Sequence, residues 1–207
     1  LYQGLSILTK KMMKKIILAV VLCGISFLAS AQIASAQSAS TQSASVEKTM
    51  FGVQTGFLGI WAYNETKRSK SVTIRSEVGF DGGIFGGSLH DNTGFILTPV
   101  ISIEPRRYYN LKRRLKQSKR IDGNSGNFYS IKASYNPDWF VLSNQDNLNV
   151  NHQISITPTW AMRRNIRNYF NYETGIGIGY RHHYSSQYGS RGEANINLHL
   201  RIGYRIR

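Results

Sequence analysis

The last stretch of the chain alternates strictly. Ala194, Ile196, Leu198, Leu200, Ile202, Tyr204 and Ile206 occupy one parity, and Asn195, Asn197, His199, Arg201, Gly203, Arg205 and Arg207 the other. Successive side chains of a strand point to opposite faces, so a period of two predicts a single strand with one apolar and one polar face. Soluble strands run to about 5–6 residues, whereas about 9–11 are needed to cross a bilayer; this run is long enough for the second. The same pattern returns at residues 172–181, 150–163, 129–139, 95–104 and 72–84, and in weaker form at residues 51–63.

A water-soluble sandwich also alternates, with its apolar face toward a core and its polar face toward water. Here the apolar parity carries almost no charge, and the polar parity mixes Arg, Lys, Glu and Asp with Gly, Ser and Asn. Long alternating strands, turn-rich joints and no helical core segment predict an all-β fold, a transmembrane antiparallel up-and-down β-barrel of eight strands. In lipid every backbone polar group must find a partner, and strands achieve this only in a closed sheet. Trp61, Tyr63, Tyr108, Tyr109, Trp139, Trp160, Tyr169, Phe170, Tyr172, Tyr184 and Tyr204 cluster toward the predicted strand ends, where amphipathic rings suit a membrane interface.

Seven segments are visible and an even number is expected. The eighth lies either in the glycine-rich residues 80–95 or inside residues 51–63, read as one bent strand. With the last strand ending in the periplasm, residues 184–193 and 143–149 fall outside, and residues 163–168 and 106–126 inside. The first segment then starts on the wrong side, so this count and this sidedness conflict.

The front of the chain changes the compartment. Met12-Met13-Lys14-Lys15 leads into an apolar run ending at Leu28, then Ala29-Ser30-Ala31 and Gln32. A basic start, a short apolar run and a small-x-small exit predict a signal peptide over residues 12–31, with an alternative cut after residue 36. Residues 1–11 read as an upstream extension, residues 32–49 as a flexible Ala/Ser/Gln tether, and residues 50–207 as the barrel. Cleavage removes the sole cysteine, Cys23, and with it any thiol chemistry. It also removes Lys10, Lys11, Lys14 and Lys15 and no acid, lowering the net charge from +15 to +11. That charge favours anionic partners, and export selects lipid head groups over nucleic acid.

Two groups of charged residues follow from the pattern. Arg75, Glu77, Asp81, Glu104, Lys132, Glu173, Arg181, His183, His199, Arg201 and Arg205 share the inward parity. An eight-stranded barrel is only wide enough for side chains to fill it, so a paired charge plug is preferred over a selective pore. Arg106, Arg107, Lys112, Arg113, Arg114, Lys116, Lys119 and Arg120 lie in one stretch without an acid. Tyr108, Leu111 and Leu115 would share one face of a short helix there, leaving the cations for anionic lipid or, on the plainer reading, for solvent.

The arrangement resembles the small, porin-like outer-membrane β-barrel proteins of Bacteroidota. Pro105-Arg106-Arg107-Tyr108-Tyr109-Asn110-Leu111, Asn124-Ser125-Gly126-Asn127, Arg163-Arg164-Asn165-Ile166 and Phe170-Asn171-Tyr172-Glu173-Thr174-Gly175-Ile176-Gly177 are similar to recurrent pieces of such proteins. The resemblance implies an integral protein of the Gram-negative outer membrane, mostly without an assigned activity in that group. Its partners would be outer-membrane lipid or lipopolysaccharide, and the barrel-assembly machinery during biogenesis. Many such barrels end in an aromatic residue, whereas this chain ends Tyr204-Arg205-Ile206-Arg207.

Within that frame the expected role is structural, or binding of a ligand or lipid, with a plugged lumen and no cofactor. His183, Ser185 and Glu193 resemble the His/Ser/Glu spacing of outer-membrane lipid A deacylases, which makes a lipid hydrolase the first alternative. Parity puts His183 and Ser185 on the lumen side, though, and those enzymes work on the lipid side. A narrow solute channel is the second alternative. His182 and His183 point to opposite faces, so with His199 they do not compose a metal site.

Overall fold

The computed structural model describes residues 44–57, 59–87, 90–144, 150–184 and 189–206, without the side chains of residues 84–87 and 90–93. Eight long strands follow one another: β1 (Thr49–Gly56), β2 (Gly59–Lys67), β3 (Val72–Gly87), β4 (His90–Tyr108), β5 (Asn127–Asn136), β7 (Gln153–Ile166), β8 (Phe170–His183) and β9 (Arg191–Ile206). A two-residue strand, β6 (Leu142–Ser143), extends the edge of β4 beyond the end of β5. Between β4 and β5 lie a helix, α1 (Leu111–Lys116), and a 3-10 turn (Asp122–Asn124).

Each strand pairs antiparallel with its neighbours, and β1 pairs with both β2 and β9, so the sheet closes into an eight-stranded ring. Following partners from Val53 through Ala62, Val78, Ile101, Tyr135, Ile154 and His182 leads to Gly192, far along β9 from Tyr204, the direct partner of Val53. A ring that closes with such an offset has strongly tilted strands.

The missing strand is in residues 51–63. They are not one bent strand but the two arms of a hairpin, β1 and β2, so the count becomes even and both ends of the ring's chain lie on one side. Gly59 makes the turn: its φ of +144° suits glycine, and a Cβ there would run into the Phe80 carbonyl and the Trp61 ring. The glycine-rich residues 80–95 supply instead the far ends of β3 and β4, which reach well beyond the β1–β2 turn.

Two ends can now be distinguished. The terminus end carries residues 44–48, the β2–β3 and β7–β8 turns, the 109–126 connector and the end of β9. Val46 to Lys48, placed by sequence in the tether, are docked there. Val46 is buried and its N–H donates to the Lys70 carbonyl at 3.0 Å. The Glu47 N–H donates to Asn124 Oδ1 at 2.7 Å. The far end carries the β1–β2 turn, the β3–β4 hairpin tip, β6 and the β8–β9 connection.

The burial is inverted relative to a protein with a core under water. Ile131, Ile156, Ile176, Ile178, Ile196, Leu198, Leu200 and Ile202 are exposed on the outer wall. Glu65, Arg75, Arg106 and Arg163 are wholly buried inside it. A small apolar cluster (Val46, Tyr108, Leu111, Ile121, Phe128, Ala161) closes the terminus end of the lumen.

Candidate functional site

Register alone alternates the charges on the inner wall. Arg75 on β3 stands between Glu65 on β2 and Glu104 on β4, and Glu173 on β8 stands between Arg163 on β7 and Arg201 on β9. Arg75, Arg163 and Arg201 therefore each meet a carboxylate on the next strand, which is the condition for burying them. Arg106, opposite Thr73 and Ser130, instead finds its carboxylates on its own strand and across the lumen.

Across the lumen these rows knit together. Glu173 accepts from Arg75 Nη1 at 3.1 Å, Arg106 Nη1 at 3.2 Å and Arg163 Nε at 2.5 Å, and His199 Nε2 lies 2.8 Å from its Oε2. It also pairs with Arg163 Nη2. Glu77 accepts from Arg75 Nε at 2.5 Å, Arg201 Nη1 at 2.8 Å, Lys132 Nζ at 2.8 Å and Ser102 Oγ at 3.2 Å. Glu104 accepts from Arg106 Nη2 at 2.6 Å and Ser130 Oγ at 2.6 Å. Glu65 Oε1 accepts from Thr73 Oγ1, Tyr108 OH and Asn124 Nδ2 at 2.8–2.9 Å. Its Oε2 lies 2.9 Å from Arg163 Nη1, an ion pair without hydrogen-bond alignment.

Rings complete the packing. The Arg75 guanidinium lies 3.8 Å from the Tyr63 ring centre, Arg106 4.4 Å from Phe128 and Arg201 3.8 Å from Trp61. Trp61, Tyr63 and Tyr108, read from sequence as interface aromatics, are thus lumen residues. The first two sit on β2, whose inward parity is obscured in the sequence by the tight turn from β1.

Of the inward residues singled out by sequence, Arg75, Glu77, Glu104, Lys132, Glu173, His199 and Arg201 are brought into this one network. Asp81 lies beyond it, accepting from Trp61 Nε1 at 2.7 Å. Arg181 is half-exposed nearer the far end, with Nη2 donating to Asn195 Oδ1 at 2.7 Å. Arg205 sits at the terminus rim, donating to the Asn168 carbonyl at 2.8 Å. Glu65, Arg163, Gln54 and Asn171 were missed. For Arg163 the signal existed, since it shares the parity of Gln153 and Ser155.

The basic connector divides. Arg106, grouped with it by sequence, is a correction: it is buried in the lumen on Glu104 and Glu173, because it shares parity with Glu104, and it cannot reach lipid. Leu111 and Leu115 do lie on one face of α1, but that face packs onto the end of the ring beside Tyr108. Arg107, Lys112, Arg113, Lys116, Lys119 and Arg120 are exposed, and Arg114 is half-buried with Nη2 donating to the Arg120 carbonyl at 2.9 Å. Arg120 pairs with Asp122 at 2.8 Å. Partial burial pushes the Asp122 carboxyl up, but hydrogen bonds from Arg120 and Asn165 outweigh it and hold the carboxyl below its ordinary range.

Toward the far end the filling stops. A cavity of about 600 Å³ opens above Lys132, Arg201 and Trp61, walled by Asn136, Gln153, Ser155, Thr157 and Asn195 among others. Where β8 ends and β9 begins, His183 Nε2 lies 3.0 Å from Glu193 Oε1. Ser185, the third member of the candidate catalytic set, lies outside the described residues. Among the described residues no cluster of His, Cys, Asp and Glu is arranged to hold a metal ion.

No protein-family model, curated protein or solved structure matches this chain.

Proposed function

We propose that the chain is an integral outer-membrane β-barrel of a Gram-negative bacterium, similar to the small Bacteroidota barrels, with a lumen plugged by charge and a structural or ligand-binding role. The observation that carries this reading is the inverted burial: an aliphatic outer wall around a wholly buried cluster of glutamates and arginines. Exposed apolar surface of that extent is unfavourable in water at roughly 25 cal/mol per Å², and favourable in hydrocarbon. Ring contacts at the two ends suit two interfaces. Tyr109 stacks on Tyr129 and Tyr169 on Tyr204 at the terminus end, and His152 on Tyr184 at the far end. With the terminus end in the periplasm, the exposed cations from Arg107 to Arg120 would face the phosphates of the inner leaflet. Export by the N-terminal leader and assembly by the barrel machinery belong to the same reading.

The test is heat-modifiability of protein extracted in detergent from the outer-membrane fraction. The expected result is a compact band that shifts on boiling. Release as a soluble periplasmic protein, with no shift, would sink the reading. The plug further predicts no steady conductance in a planar bilayer, which separates this role from a channel. The His183–Glu193 pair gives the lipid-hydrolase alternative one supporting contact. Ser185→Ala tests it: an unchanged lipid profile removes that alternative.

A further inference from the structure

The ring is not equally high all round. β1 pairs with β9 only from Gly56↔Arg201 downward, and β2 pairs with β3 only from Gly59↔Asp81 downward. Beyond those pairs β9 continues to Arg191 and β3 to Gly87. Among the described residues nothing pairs with the β9 edge between Arg191 and Leu200 on that side, or with the β3 edge beyond Asp81. The wall therefore has a notch two strands wide, with Phe57, 82% exposed, on its sill. The edge of β4 beyond β5, by contrast, is covered by β6.

The cavity opens through this notch. It is lined by Asn195 and Asn197, which point inward from β9, and also by Ile196, Leu198 and Leu200, which point outward from the same strand. Adjacent residues of a strand face opposite ways, so a space touching both sets wraps around a free strand edge. Phe57 on the sill and Gly82 and Gly83 on the opposite jamb line it too. The space thus runs from an aliphatic outer surface, over a low sill, into a polar chamber. Its charged lining is Lys132, Arg181, Arg201 and Asp81. Lys132 and Arg201 are paired with Glu77, and Asp81 is bound to Trp61 and Asn136. That leaves Arg181, its Nη1 3.6 Å from the exposed Glu193, as the cation toward the open space. Arg181 Nε is buried and donates to nothing among the described residues.

We infer that the cavity binds an acyl amphiphile with an anionic head group, admitted sideways from the bilayer over Phe57, with its head in the chamber near Arg181 and its chain left along Ile196, Leu198 and Leu200. This rests on the membrane reading above and gives it a ligand class. The gradient from an aliphatic wall to a polar chamber holding Arg181 matches the two halves of such a molecule. The notch lets the head group enter without the chain leaving hydrocarbon. The free edge of β9 offers backbone N–H donors, which hydrocarbon alone would leave unsatisfied. A phosphate and a carboxylate head share this chemistry.

The experiment uses Trp61, which is buried on the inner wall and lines the cavity. The chain has three tryptophans, so Trp139→Phe with Trp160→Phe leaves Trp61 as the sole fluorophore. In phosphatidylcholine vesicles this protein is titrated with dibrominated lysophosphatidic acid, dibrominated stearate and a dibrominated monoacylglycerol. Saturable quenching by either anionic probe, at least about tenfold tighter than by the neutral one, supports the inference, and the better of the two identifies the head group. Arg181→Gln should weaken that binding by about tenfold, and Asn197→Phe should weaken it at least as much by obstructing the way into the chamber. Unsaturable quenching, equal quenching by all three probes, or none overturns it. A second protein keeping only Trp160, which is exposed on the outer wall, separates the two readings in vesicles of brominated phosphatidylcholine. If Trp160 is quenched by that lipid and Trp61 is not quenched by the probes, the barrel stands and the ligand site falls. If neither is quenched, both fall.

Discussion

The two halves of the lumen share six strands, since β1 and β2 stop short of the far end, and they solve opposite problems. Toward the terminus end, Glu65, Glu77, Glu104 and Glu173 face Arg75, Arg106, Arg163, Arg201 and Lys132, and the space is filled. Toward the far end the inner wall changes to Ser134, Asn136, Ser155, Thr157 and Asn195, and about 600 Å³ is left open. Large charged side chains reach across a narrow ring and cancel one another, whereas short neutral ones cannot meet in the middle. The lumen is open where short polar residues replace the paired charges and where β1 and β2 no longer close the wall.

The largest effect should come from breaking the filled half. Glu173→Gln keeps the shape but leaves Arg75, Arg106 and Arg163 facing a neutral amide. Removing one partner of a buried ion network costs about 3–5 kcal/mol. Urea unfolding in vesicles, followed by tryptophan fluorescence, should show a loss of that size or failure to form the compact species. Asn197→Ala in the open half should change stability by less than about 0.5 kcal/mol. Equal effects of the two would erase the distinction between the halves.

Next in size is a comparison across the thickness of the wall. Leu198→Arg places a cation on the outer face, and should cost about 2–4 kcal/mol if that face lies near the middle of a bilayer. Asn197→Arg, one residue away, points into the cavity and should cost about 1 kcal/mol or less. Reversal of this order, read by the same unfolding assay, would mean that the apolar wall is not in lipid.

Much of this contrast was legible in the sequence. The parity of residues 72–84 and 194–206 put Thr73, Arg75, Glu77, His199 and Arg201 on one face, and that is the buried face. Two things were hidden. The β1–β2 hairpin turns within very few residues, so residues 51–63 read as a single weak strand, and Glu65 was left without a face. Arg106 sits at the junction of β4 with a basic connector. Composition assigned it to its neighbours, although parity with Glu104 placed it inside. The notch was out of reach of any pattern, because it arises from unequal lengths of paired strands.

A smaller prediction separates two members of the plug from its surroundings. Arg163 and Glu173 are cross-strand partners and contact each other directly, so Arg163→Met and Glu173→Gln should be non-additive, with a coupling of about 1–3 kcal/mol in a double-mutant cycle. Glu173→Gln with Lys132→Met should show a weaker coupling, since Lys132 bonds to Glu77 instead. Couplings of equal size would mean that the charges act as a diffuse cloud, without specific pairs.

The smallest effect concerns the connector that closes the filled half. Asp122 lies outside the strands, between Arg120 and Asn165, and accepts from Arg120 Nη2 at 2.8 Å and from Asn165 Nδ2 at 3.3 Å. Its carboxyl is lowered in the folded protein, despite the opposing push of partial burial. A carboxyl lowered on folding contributes stability that is complete above its unfolded pKa and is lost as pH falls through the folded value. The contribution should therefore be flat from neutral pH down to the ordinary carboxylate range, and disappear below it. Because Arg120 and Asp122 are both substantially exposed, solvent screening keeps the effect within about 0.5 kcal/mol. Hydrogen exchange over residues 109–126 should accelerate in wild type as pH drops through that window, after correction for the intrinsic rate. Asp122→Asn should show the faster exchange already at neutral pH, with no further acid-induced step. An acid step that survives in Asp122→Asn would assign the loosening to another group.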